Sequence, residues 1–124
     1  ERMEKVQRVA NYIPELKVDG AESGKLLVVG WGGTYGHLLS AVQEVRAEGI
    51  DVSFAHFDYI MPLPKNTADV FKKFDKILVC ELNSGQFVNY LRGVLPQFKY
   101  EQFNKVQGQP FLVQEITTAI KENF

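Results

Sequence analysis

Chemistry in this chain would have to come from few residues: two histidines, one cysteine, some placed carboxylates and three glycine-bearing polar turns. The first turn, Gly30-Trp31-Gly32-Gly33-Thr34-Tyr35-Gly36, follows directly on the apolar run Leu26 to Val29. Free N–H groups where such a turn opens a helix favour phosphate, so a dinucleotide site has to be tested. It fails on spacing. A G-x-G-x-x-G run from Gly30 needs glycine where the chain has Tyr35, and Asp58 lies farther on than the roughly 20 residues the fingerprint expects. A Walker loop is excluded too, because no Lys-Ser/Thr pair follows. The turn reads as a tight reversal into a helix capped by Thr34. At least one of Gly30, Gly32 and Gly33 is then expected to have positive φ.

His37 opens a helix without a sequence-evident carboxylate or nucleophile partner, and His56 falls in a strand pattern, where it reads as a packed, hydrogen-bonded side chain. Two histidines, one cysteine and scattered carboxylates give no metal-ligand spacing. Cys80 lies in the apolar run Ile77 to Leu82 and reads as a small buried hydrophobe. Alone it cannot hold an iron–sulfur cluster, which wants about four thiolates. Glu81 alternates to the other face and reads as polar packing at the sheet end. Lys105, between Asn104 and Gln107, is either a solvated loop lysine or an anion contact.

These turns need a scaffold. Met3, Val6, Val9, Ala10 and Ile13 recur at helical spacing and predict a linker helix over 1–13, ended by Pro14. The domain proper then runs from 14 to 124. Glu15 to Val18 is a short extended piece with no crossover helix after it, expected antiparallel at a sheet edge. Leu26 to Val29 predicts a strand buried on both faces. A helix with Leu38, Val42 and Val45 inward follows and stops at Gly49. Val52 to Phe57 is the next strand. Asn66 caps a helix carrying Val70, Phe71 and Phe74. Ile77 to Leu82, a helix capped by Asn83 or Ser84 with Phe87, Leu91, Val94 and Leu95, the strand Tyr100 to Val106 and the helix Phe111 to Glu122 complete the pattern. Strands alternating with helices imply a parallel sheet with helices on both faces, an α/β fold.

Ligand sites in such sheets lie beyond the carboxyl ends of the strands. The three turns therefore share one rim. Its candidate ligand- or interface-facing residues are Gly30, Trp31, Gly32, Gly33, Thr34, Asn83, Gln86, Asn104, Lys105, Gln107 and Gly108. No catalytic residue and no metal ligand is assigned.

Composition narrows the functions further. The 124 residues are 45% hydrophobic, enough for the core of one domain. Fourteen basic and fifteen acidic residues leave a net charge of −1, which is no footprint for nucleic acid or an anionic membrane. The longest apolar runs are far too short to span a bilayer. One cysteine and no signal-like segment point to the cytoplasm. A chain that begins at Glu1 already in a helical pattern reads as a piece of a longer polypeptide.

Three segments, in this order and spacing, carry a resemblance: Leu27-Val28-Val29-Gly30-Trp31-Gly32-Gly33-Thr34-Tyr35-Gly36, Met61-Pro62-Leu63-Pro64-Lys65-Asn66, and Asn104-Lys105-Val106-Gln107-Gly108-Gln109-Pro110-Phe111. They resemble the final domain of the alpha subunit of 2-oxoacid:ferredoxin oxidoreductases, of the 2-oxoglutarate type, from about Pro14 onward. Gly33 departs from the pattern, where a serine is more usual. The resemblance implies a transketolase-C-terminal-like, three-layer α/β/α fold with five strands in the order 1-3-2-4-5, the first antiparallel. It also implies a parent reaction: oxidative decarboxylation of a 2-oxoacid on thiamine diphosphate and Mg2+, electrons passing through an iron–sulfur cluster to ferredoxin, and acyl transfer to coenzyme A. The family's cofactor ligands lie in other domains or the beta subunit. The chain alone is then expected to bind no cofactor, to be inactive, and to serve as a scaffold and interface, with a contact to coenzyme A as an open possibility. Two other readings compete: a free-standing flavodoxin-like nucleotide-binding module, and the equivalent domain of another thiamine enzyme.

Overall fold

The computed structural model describes residues 13–58, 60, 62–82, 85–105 and 112–124. The expected linker helix, Ile13 apart, lies outside them, as do Asn83, Ser84 and residues 106–111. Four strands alternate with helices: β1 Gly24–Trp31, α1 Tyr35–Ala47, β2 Ser53–Phe57, α2 Thr67–Phe71, β3 Phe74–Glu81, α3 Gln86–Val94, β4 Tyr100–Asn104 and α4 Val113–Asn123, with a 3-10 turn at Gly32–Thr34 between β1 and α1. The sheet order is β2-β1-β3-β4 and every pairing is parallel.

Alternation along the central strands divides the core between the two faces. Leu26 and Val28 of β1, with Leu78 and Cys80 of β3, pack against Leu38, Ala41, Val42 and Val45 of α1 and Ile116, Ala119 and Ile120 of α4. Leu27, Val29, Ile77 and Val79 face the other way, onto Val70 and Phe71 of α2 and Phe87, Val88 and Leu91 of α3. The three layers follow from that two-sided burial. Gly49 closes α1 at φ 90°, as its position after the last apolar residue predicts. Val94, expected inward, is 47% exposed because α3 ends there.

The expected fifth strand is not formed. Glu15 to Val18 touches the β2 edge only through one antiparallel bridge, Asp19 to Phe54, with N–H to carbonyl bonds of 2.7 and 2.9 Å. Asn66 tethers the segment instead: its Oδ1 accepts the Leu16 N–H at 2.7 Å and its Nδ2 donates to the Leu16 carbonyl at 2.9 Å. Asn66 is therefore not the side-chain cap of α2 that its position suggested. Arg46 pins the same turn, donating from Nε to the Val52 carbonyl and from Nη1 to Asp19 Oδ1, at 2.8 and 3.0 Å.

Of the glycines in the first turn, Gly32 has φ 68°, in the left-handed region. Gly30 serves close approach instead: a Cβ there would lie 2.1 Å from Leu38 Cδ1. Gly32→Ala, with open space around its Cβ, isolates the backbone cost and is expected to lose about 1 kcal/mol. Urea unfolding measures this, and an unchanged midpoint would remove the conformational demand from the turn.

Candidate functional site

The strand order reverses between β1 and β3, so their carboxyl ends flank the crevice where open α/β sheets hold ligands. Trp31 ends one strand and Glu81 the other, two residues beyond the register pair Val29 and Val79. Glu81 is wholly buried. Its Oε1 accepts the Phe87 N–H at 2.7 Å and the Trp31 indole N–H at 3.2 Å, and its Oε2 accepts the Val88 N–H at 2.8 Å. A carboxylate set against the N-terminus of a helix suits both the orphan N–H groups and the helix dipole. The Trp31 ring also lies against Phe87, with centroids 5.9 Å apart. Sequence alone reads Glu81 only as polar packing at the sheet end. The available signal was an acidic residue ending a buried strand just before a helix start, since a buried carboxylate needs N–H donors.

The other rim residues divide. Gly32 and Gly33 are exposed at the turn, and Thr34 is buried. Thr34 does not cap α1 through its side chain; its hydroxyl donates back to the Trp31 carbonyl at 3.1 Å. Gln86 is exposed at the start of α3. Asn104 lies beside Gly85, and its Oδ1 is buried without a donor among the described residues. Lys105, expected to be exposed, is half-buried, and its Nζ meets Glu115 Oε1 at 2.7 Å. Glu115 also accepts the Leu112 N–H at 2.9 Å, and the hydrogen bond from Lys105, with that from Leu112, holds its carboxyl below the usual carboxylate range. The structure thus ties the end of β4 to the start of α4. Asn83, Gln107 and Gly108 lie outside the described residues.

A second feature opens where Glu15 to Val18 peels from the sheet. A cleft of about 620 Å³ separates Lys17, Val18 and Asp19 from Phe54, His56 and Asp58, with Gly32 and Tyr35 at its head. His56 Nε2 is 3.8 Å from Asp58 Oδ1, and the Tyr35 ring meets the imidazole edge-on at 5.2 Å. Burial lowers the His56 pKa, against the opposing pull of Asp58. His37 is exposed on α1.

The donor set does not suit the metal or cluster of the resembling family. Cys80 is buried, and that burial, reinforced by Glu81, pushes its thiol up to about 12, so it offers no thiolate. Among the described residues no three His, Cys, Asp or Glu side chains gather as a metal site. No helix among them is long and apolar enough to cross a membrane. What the rim does present is apolar surface. Tyr35, Leu82 and Leu112 are 50%, 38% and 58% exposed, and each stands where the chain leaves a strand or begins a helix at the carboxyl edge.

No protein-family model matches the chain. It is 36% identical over 115 residues to 2-oxoglutarate oxidoreductase subunit KorA of Mycobacterium tuberculosis, covering 89% of this chain and 17% of that protein. It is 31% identical over 126 residues to 2-oxoacid:ferredoxin oxidoreductase 1, subunit alpha, of Aeropyrum pernix, covering 96% of this chain and 20% of that subunit. The chain therefore spans about a fifth or less of the length of these relatives. Among solved structures, the 2-oxoglutarate:ferredoxin oxidoreductase of Magnetococcus marinus, with 2-oxoglutarate, coenzyme A and succinyl-CoA bound, superposes with a TM-score of 0.85 at 27% identity. That match covers 94% of this chain and 21% of the other. A split-gene transketolase, at TM-score 0.64 and 13% identity over 86% of this chain and 42% of its own, shares the fold. The chain is homologous to one segment of the alpha subunits of the 2-oxoacid:ferredoxin oxidoreductases, the 2-oxoglutarate enzymes included.

Proposed function

We propose that this chain is a scaffolding and docking domain in the alpha subunit of a 2-oxoglutarate:ferredoxin oxidoreductase. The parent enzyme would decarboxylate the 2-oxoacid oxidatively on thiamine diphosphate and Mg2+, pass electrons through an iron–sulfur cluster to ferredoxin, and form the acyl-CoA. The observation that carries this reading is the agreement over 94% of the chain with the Magnetococcus marinus enzyme. On this reading the cofactors belong to other parts of the alpha subunit and to the beta subunit, and this chain supplies none of the redox chemistry. Its own chemistry is that of an interface. Tyr35, Leu82 and Leu112 are each exposed at the carboxyl end of the sheet, where the fold places its loops, and exposed apolar side chains on a polar rim favour protein contact.

Leu82→Asp in the assembled enzyme tests it. A charge at a docked leucine is expected to weaken subunit association by about tenfold, roughly 1.4 kcal/mol. The folded chain should keep its stability, since Leu82 is 38% exposed. Sedimentation across a concentration series reads the association constant. An unchanged constant would take the docking role from this edge.

A further inference from the structure

The crevice at the strand-order reversal is filled from within. One carboxylate, Glu81, joins the last residue of β1, through the Trp31 indole N–H, to the first turn of α3, through the Phe87 and Val88 N–H groups. Capping α3 requires only the two backbone donors. The third bond reaches a residue 50 positions away, and it fixes an aromatic ring that lies at the rim rather than deep in the core. The Trp31 ring rests in turn on Phe87, which carries one of the two backbone donors, so the three groups close on one another.

We infer that Glu81 is a positioning residue: it sets the Trp31 indole in the rim and makes the turn after β1 and the start of α3 move as one body. The inference rests on the docking reading of that rim. The residue type follows from the donors. Three N–H groups converge on two oxygens, and a carboxylate alone offers two acceptors with no competing hydrogen. Glutamine at the same size would turn an NH2 group toward at least one of those N–H donors. A charge-assisted hydrogen bond would be lost with it.

Trp31 is the only tryptophan of the chain, so its indole N–H gives a single proton–nitrogen signal. In Glu81→Gln that signal is expected to move upfield and to exchange with water about tenfold faster, the mark of a lost charge-assisted bond. Should Glu81→Gln fail to fold, Trp31→Phe supplies the reciprocal reading: the Phe87 and Val88 amide signals should shift while α3 persists. In the assembled enzyme, Glu81→Gln and Trp31→Phe are each expected to weaken association, and the double variant no more than the stronger single one. An indole signal unmoved in Glu81→Gln, or unmoved Phe87 and Val88 amides in Trp31→Phe, would overturn the inference, and so would additive losses in association. If Trp31→Phe leaves association intact while the indole signal moves as expected, the docking reading falls and the coupling of the two turns stands.

Discussion

Phe57→Ala is expected to destabilise the chain by about 4 kcal/mol, a large fraction of the roughly 5–15 kcal/mol that holds a domain of this size together. Phe57 is 1% exposed at the end of β2. Its ring stands edge-on to Phe87 at 5.0 Å and to Phe71 at 6.1 Å. Phe71 continues the chain of rings to Phe98 and Tyr100, at 5.7 and 6.2 Å. Truncation at Phe57 therefore removes buried area, leaves a cavity and deletes two aromatic pairs worth about 0.5–1.5 kcal/mol each. Chemical denaturation measures the loss. Phe57→Leu, which refills much of the cavity, should restore more than half of it. A loss below about 1.5 kcal/mol in Phe57→Ala would show that this face repacks freely, and the ring chain would not be its organising contact.

Alkaline pH is the second large lever, through Cys80. Burial raises its thiol from 9.0 to about 12, with the neighbouring Glu81 charge pushing the same way. The folded chain thus keeps the thiol proton through a range where the unfolded chain has released it. Stability must fall as pH rises from about 9 toward 12, by up to about 4 kcal/mol at 1.36 kcal/mol per unit. Tyr100, pushed by burial from 10.0 to about 12, acts in the same direction above pH 10. Urea midpoints followed from pH 8 to 11 should decline steeply in the native chain and less so in Cys80→Ala. Parallel declines in the two proteins would exclude the thiol as the source.

Several features of the fold were legible because they depend on neighbours in sequence. The run Leu26 to Val29 predicts a strand with two buried faces, and it lies in the middle of the sheet. The helical spacing of Leu38, Val42 and Val45 gave the correct buried face of α1. The order of the four strands also agrees with what the family resemblance implied, once the unformed edge strand is removed. Where the polar residues differ from expectation, a side chain chose a partner that local propensity does not reveal. Asn66 bonds to Leu16 and Trp31 to Glu81, each across 50 positions. Lys105, for which a solvated loop lysine and an anion contact were both open, pairs with Glu115 across the connection to α4. Thr34 stands in the expected N-terminal position of α1, but its hydroxyl turned back to Trp31 rather than forward. Local propensity identifies which residues can close a turn or cap a helix. Competition among donors and acceptors in the folded chain decides which of them does so.

The tethering of the edge segment by one amide has a consequence for self-association. Strand β2 is an edge strand, and beyond Phe54 its outer side is screened by a segment that hangs on Asn66 and the Asp19 bridge rather than on a continuous ladder. Asn66 itself immediately precedes α2, a helix of only five residues. The screen is held at one end by the docking of that short helix and at the other by the Asp19 bridge and its Arg46 contact. If α2 loosens, Leu16 loses both bonds together, and the backbone of β2 is offered to any extended segment nearby, including the same edge of another copy. The fold defends this edge by a tether rather than by a wall. Cover of that edge therefore rests on the fit of Val70 and Phe71 against the sheet as well as on the sheet itself.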